Sequence, residues 1–391
     1  MSSIAWRLEV LNLDSVYASQ SWRPGSWRDK ERRHMPDYQG KQLPAVLKQL
    51  SRLPSLVSED DILRLRQALV HAADGHTFVQ LMGQREQSLN DVTHVTFDQG
   101  FKTVESLSRY LALMLSLPVL AIGSVAGSYA RTRADATELV NGVTLDRYFG
   151  DMVNCQAATP WARRPDANRL LWAYEATEAA MQRLRAKAST IHTSHECAHL
   201  DYEEALVRRT RHSGFYASSA SLLWIDACNL FSDSCYVEFA RGLDNPIALR
   251  LGGPLDTHTL VNIVERLNPE RQTGKILLIA NTADGTQAVG EAIRALQTQR
   301  SPVIWLCDPL NRHTAHPATS SLTQNVAQEW DQTLNLHRTL GSRLSGIALE
   351  VRSHVSSLPA PERHEDTAPF FDFQKTLQLC SHLAHAYRES R

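Results

Sequence analysis

Charge of either sign is nowhere in excess in this sequence: 41 Lys and Arg face 42 Asp and Glu, leaving a formal net charge of -1. That balance supplies no broad field for a nucleic-acid backbone or an anionic membrane surface, so neither is expected as a partner. No apolar run approaches the roughly 20 residues that span a bilayer. The first residues carry Arg7 and Glu9 rather than an apolar core followed by a small-residue cleavage site. A soluble, cytoplasmic protein is the expectation. Cysteine is sparse too. The six, at 155, 197, 228, 235, 307 and 380, form no C-x-x-C pair and sit mostly in apolar runs, which argues for reduced thiols and against a disulfide framework or a structural zinc site. A phosphate-cradling G-x-x-x-x-G-K-[ST] loop is missing, and no G-x-G-x-x-G follows a strand, so nucleotide binding loses its usual signature.

What is present is alternation. Residues 1 to about 42 are rich in Trp, Arg and Pro, with W-R-P-G-S-W-R from Trp22 to Arg28, and read as an arm lying on a domain. Helical apolar spacing follows over Leu43 to Leu53 and over Glu59 to Ala73, the second capped at Ser58. Residues 1–73 are thus expected to pack as an arm and helices on a barrel formed by 74–391. Short apolar strands are predicted at Thr77–Met82, Pro118–Ile122, Ser189–Cys197, Leu222–Ile225, Pro246–Leu251, Lys275–Ala280, Pro302–Leu306 and Gly346–Val351. Helices are predicted after them at Lys102–Leu117, Asn168–Lys187, Asp201–Arg211, from about Ser232, and at Thr257–Leu267, Gln287–Gln297, Ser321–Leu340 and Phe373–Tyr387. Uniform strand–helix alternation requires a parallel sheet, and eight units favour an α/β fold of the (β/α)8 TIM-barrel kind over an open doubly wound sheet.

A barrel displays its chemistry where its strands end. Those ends carry Gln84 and Arg85; Ser124; His195, Glu196 and Cys197; Asp226 and Cys228; Arg250; Asn281; Asp308 and Asn311; and Glu350 and Arg352. Arg131 and Arg133, in Y-A-R-T-R after the second strand, add a basic loop suited to a phosphate or carboxylate.

Several motifs in order resemble the class II, or plant-type, 3-deoxy-D-arabino-heptulosonate 7-phosphate (DAHP) synthases. They are S-W-R-D-K at Ser26, A-G-S-Y-A-R-T-R at Ala126, Y-F-G-D-M-V-N at Tyr148, T-S-H-E at Thr193 with D-Y-E-E-A-L at Asp201, W-I-D at Trp224, V-E-F-A-R-G-L-D-N-P-I at Val237, W-L-C-D-P at Trp305 and G-I-A-L-E at Gly346. The resemblance implies a TIM barrel, condensation of phosphoenolpyruvate with erythrose 4-phosphate, a divalent metal and a homo-oligomer. It also implies that Arg131 and Arg133 hold the sugar phosphate. The positions it assigns to the metal are occupied by Arg85, Asn311, Glu350 and Ala368. On the phosphoenolpyruvate side, Ala227-Cys228 stands for a Glu-Arg pair, Asn281 and Ser124 for arginines, and Arg250 for a lysine. Lys187 runs almost directly into Ser189, where the longer members carry a regulatory insertion.

These departures set the expectations for the site. The family metal, Mn, Co or Mg, is expected to be lost, so no cofactor is expected, and an Arg85–Glu350 ion pair is expected in its place. Cys228 and His195 are expected to face each other as nucleophile and base. The candidate catalytic set is Cys228, His195, Glu196, Glu350 and Arg85. The candidate substrate-binding set is Arg131, Arg133, Arg250, Trp224, Asp226, Asn281 and Asn311. The favoured reading is an enzyme of specialised metabolism running metal-independent acyl transfer or condensation on a small molecule, carrier-bound or phosphorylated. Weak or altered DAHP synthase activity and a non-catalytic regulatory or scaffolding role are the alternatives.

Overall fold

The computed structural model describes residues 22–39, 41–84, 86–89, 94–124, 126–252, 256–280, 282, 285–310, 321–351 and 373–390. The barrel strands are β1 (Phe78–Gly83), β2 (Val119–Ser124), β5 (His192–Glu196), β8 (Leu222–Ile225), β9 (Ile247–Arg250), β10 (Ile276–Ala280), β11 (Val303–Cys307) and β12 (Leu344–Glu350). All but β5, which reads His-Thr-Ser-His-Glu, are apolar on both faces for most of their length, which is what a sheet covered on both sides demands. They close in the order β1-β12-β11-β10-β9-β8-β5-β2. Closure rests on β1, which pairs in parallel with β2 and with β12, so that Gly83 is in register with both Ser124 and Glu350. At Gly346 the strands approach so closely that an added Cβ would lie 2.1 Å from the carbonyl oxygen of Val79. Only glycine fits there.

Alternate residues divide the strands between two cores. Val79, Leu81, Leu120, Ile122, Leu222, Trp224, Ala248, Leu277, Ile279, Ile304, Leu306 and Ala348 fill the barrel interior. The intervening residues pack on the surrounding helices. Phe78, for example, meets the rings of Trp330 and Tyr387. These helices are α3 (His94–Leu115), α4 (Asn168–Ala186), α5 (Leu200–Ala205), α6 (Cys235–Ala240), α7 (Thr257–Leu267), α8 (Thr286–Thr298), α9 (Ser321–Thr339) and α10 (Phe373–Ser390). Two more precede the barrel, α1 (Gln42–Leu50) and α2 (Glu59–Ala73). A reciprocal Ser58–Asp61 capping box starts α2. Its Leu65, Leu69 and Ala72 join the interior core and close the amino-terminal end of the barrel.

The described part of the arm, residues 22–39, packs on the barrel. Trp27 is fully buried and donates to Glu204 at 2.8 Å, Arg28 pairs with Asp201 and Glu204, and Ser26 bonds Glu238 at 2.7 Å. Two local expectations change. The helix predicted to run to Arg211 ends at Ala205, because Val207–Arg209 (β6) turns through Ser213, at φ 66°, and pairs antiparallel with Phe215–Ala217 (β7). The stretch after β2, expected to be a loop, contains a hairpin of β3 (Thr137–Val140) and β4 (Val143–Asp146). Asn141 and Gly142 both take positive φ at its turn, the pair a two-residue hairpin prefers.

Candidate active site at the barrel mouth

Strand periodicity decides which residues reach the mouth. On β5, Ser194 lies beside Ser124 of β2 at 3.2 Å between hydroxyl oxygens, and Glu196, two residues on, shares its face. Glu196 Oε1 accepts the backbone N–H of Thr132 at 2.9 Å. His195 projects to the outer side of the barrel. There its Nε2 lies 2.8 Å from Glu203 of α5, whose other oxygen accepts the Ser219 hydroxyl at 2.5 Å. Gly127, at φ 92°, makes room for the ring, since a Cβ there would meet Nδ1 at 2.9 Å.

From β8, Asp226 caps the short 3-10 turn Ala227–Asn229 by accepting the N–H of Cys228 at 3.4 Å. Cys228 is half-buried beside it. Burial pushes the Cys228 thiol well above the ordinary thiol range, and the Asp226 and Glu196 charges, with a hydrogen bond to Asp226, push it the same way. The expected Cys228–His195 pair is therefore corrected: His195 is engaged with Glu203 behind the strand, and burial, reinforced by the neighbouring carboxylates, keeps the thiol protonated. A nucleophilic thiolate needs a cation or a base beside it.

Arg250, from β9, forms a buried ion pair with Asp308 at the end of β11 and lies 5.2 Å from the Trp224 ring centroid. Trp224 belongs to the interior core and forms part of the floor. In the loop after β2, Arg133 is paired with Glu86 at 2.7 Å. The Arg131 guanidinium donates no hydrogen bond among the described residues. Burial opposes its charge, but the carboxylates of Glu196, Glu86, Glu350 and Asp226 outweigh that and raise its pKa. Burial, reinforced by Asp226, pushes Glu196 up to about 7, against the opposing pull of Arg131 and the Thr132 hydrogen bond. Buried Glu350 ends β12.

The structure thus gathers Glu196, Asp226, Cys228, Glu350 and Arg131, with Arg250 and Trp224 beneath, and sends His195 elsewhere. Arg85, Asn281 and Asn311 lie outside the described residues, and so does the expected Arg85–Glu350 pair. Thr132, Asn229 and Glu86 join the site without having been singled out. Asn229 donates to Thr132 Oγ1 at 3.2 Å. Its sequence signal was its place three residues after Asp226 in a capped turn.

The sequence matches the class-II DAHP synthetase family over residues 22–191 and 186–357. The chain belongs to this family. It is similar to the phospho-2-dehydro-3-deoxyheptonate aldolase of Neurospora crassa, at 28% identity over 84% of each chain. It is also similar to that of Streptomyces coelicolor, at 26% identity over 83% of this chain and 86% of the relative. A probable phospho-2-dehydro-3-deoxyheptonate aldolase of Pseudomonas fluorescens is 30% identical over 71% of this chain and 72% of its own length. A solved phospho-2-dehydro-3-deoxyheptonate aldolase from Francisella tularensis superposes with a TM-score of 0.57 at 12% identity, covering 93% of this chain and 99% of that one. That likeness confirms the barrel.

At the four positions that resemblance to class II DAHP synthases assigns to a divalent ion, Glu350 alone offers a carboxylate. Arg85, Asn311 and Ala368 bring no thiolate, imidazole or carboxylate. Among the described residues, no three His, Cys, Asp or Glu side chains are grouped to hold a metal. Three of those four positions, Arg85, Asn311 and Ala368, lie outside the described residues.

Proposed function

We propose that this member of the class-II DAHP synthetase family is an enzyme of specialised metabolism that condenses small molecules without a divalent metal. Glu196 is its proton-transfer group, and Arg131 is the cation that orients a substrate oxygen and faces developing negative charge. The carrying observation is Glu196 itself: buried, aimed into the mouth and shifted to about 7. A carboxyl group poised there exchanges protons at working pH, as a general acid or base must. Arg131, with its donors uncommitted to described residues, supports the second role. The acyl-transfer variant of the reading, which needs a Cys228 thiolate, is set aside on the surroundings of that thiol. Residues 187–191 alone link α4 to β5, in keeping with the family's short form and with a role outside regulated housekeeping metabolism.

The test is phosphate release from phosphoenolpyruvate with erythrose 4-phosphate, with and without added Mn²⁺, in the wild type and in Glu196→Gln and Arg131→Ala. Metal-independent release that disappears in both variants, with a pH profile inflecting near 7, is the expected result. If this substrate pair is not the natural one, release is absent with and without metal. Release that appears only with Mn²⁺ would instead establish ordinary DAHP synthase chemistry.

A further inference from the structure

The mouth contains a spot lined by acceptors. Glu196 is only 4% exposed and Asn229 only 1%, and both hold a buried oxygen, Oε2 and Oδ1, without a hydrogen-bond partner. The two side chains meet at Thr132: Glu196 Oε1 accepts its N–H, and Asn229 Nδ2 donates to its hydroxyl. With those bonds made, the remaining oxygens are the unspent acceptors. Asp226 begins the turn that carries Asn229 and is close enough to Glu196 for their charges to oppose each other. A buried acceptor without a donor costs roughly 1–3 kcal/mol, so two of them beside a second carboxylate call for a group that only donates.

We infer that Glu196, Asp226 and Asn229 form a subsite for a primary ammonium group on one of the substrates. An ammonium offers three donors and no acceptor, and its charge relieves the repulsion between the two carboxylates. A hydroxyl satisfies one acceptor and leaves the charge untouched. A second phosphate or carboxylate is repelled. The inference rests on the reading that the barrel mouth is the substrate site, and it sharpens that reading by naming a substrate class: an amine that also carries an anionic group for Arg131. The charge of Arg131 feels both carboxylates.

The experiment is equilibrium binding of O-phosphoethanolamine and of ethyl phosphate, which differ by the ammonium, to the full chain by calorimetry or ligand-observed NMR. O-Phosphoethanolamine should bind at least tenfold more tightly. That advantage should vanish in Glu196→Gln and in Asp226→Asn, whereas ethyl phosphate should bind those variants as well as, or better than, the wild type. Arg131→Ala should weaken both ligands. Equal or tighter binding of ethyl phosphate, an amine advantage that survives both variants, or no binding of either ligand overturns the ammonium subsite. Binding of both that is indifferent to Arg131→Ala removes the mouth itself as the site, which is a separate failure.

Discussion

Two adjacent residues, His195 and Glu196, carry the plainest lesson at the scale of single side chains. A strand turns successive side chains to opposite faces, so a His-Glu pair at a strand end delivers one of them to the mouth and the other to the helices. Here Glu196 goes in and His195 goes out to Glu203. The pair was legible in the sequence. Its division was not, because that depends on which face closes the barrel. Glu196 should cost stability for its position. Its folded pKa is raised, so the native state binds the extra proton between about 4.5 and 7 and loses relative stability as pH rises through that window. Glu196→Gln should accordingly be more stable than wild type at pH 8, by on the order of 2 kcal/mol, with the gap closing by pH 4.5 in urea titrations. A gap that does not depend on pH would contradict this. Cys228 should be inert. Its alkylation by iodoacetamide at pH 7.5, read by peptide mass spectrometry, should run at least tenfold slower than in the unfolded chain, and Asp226→Asn should accelerate it. Rapid labelling of the native wild type would restore the nucleophile reading.

Among the elements, α2 and the β1–β12 seam hold the mouth in place from a distance. Leu65 and Leu69 of α2 are fully buried against the strand interiors at the end opposite the site. Leu69→Ala should therefore destabilise the fold by about 2–5 kcal/mol, measured by chemical denaturation, a cost that a surface helix would not incur. Gly346→Ala should be worse tolerated than its volume suggests, since backbone rather than a movable side chain blocks the Cβ. Soluble expression with an unchanged thermal midpoint would show that the seam yields. The eight barrel strands and α2 were readable because strong periodicity and a capping box mark them locally. The β6–β7 hairpin was not. Its charged Val207-Arg208-Arg209 run continues a helical pattern in sequence, and only its pairing with Phe215–Ala217 makes it a strand.

At the scale of the whole molecule, buried bases set the response to acid. Burial lowers His192 and His337 to about 4 and Lys275 to about 7. All three folded values lie below the unfolded ones, so the unfolded chain binds more protons, and stability falls as pH falls: through 10.5 to 7 for the lysine and 6.5 to 4 for the histidines. Glu196 opposes this only between about 4.5 and 7. The urea midpoint should drop between pH 6.5 and 4, and the difference between wild type and His337→Asn should shrink across that window. A difference that stays constant would show that His337 takes no part.

The chain's own pattern determined the barrel, its strand order along the sequence, its family and the set of residues near the strand ends. Those follow from local periodicity and from motifs read in order, which need no knowledge of distant contacts. Tertiary structure alone decided the character of the site. Arg131 lies among carboxylates from two strands and two loops, Cys228 is kept protonated by burial together with Asp226 and Glu196, and Asn229 and Glu196 leave acceptors open at Thr132. Charge and hydrogen bonding act through space, and residues up to about two hundred positions apart become neighbours only when the barrel closes.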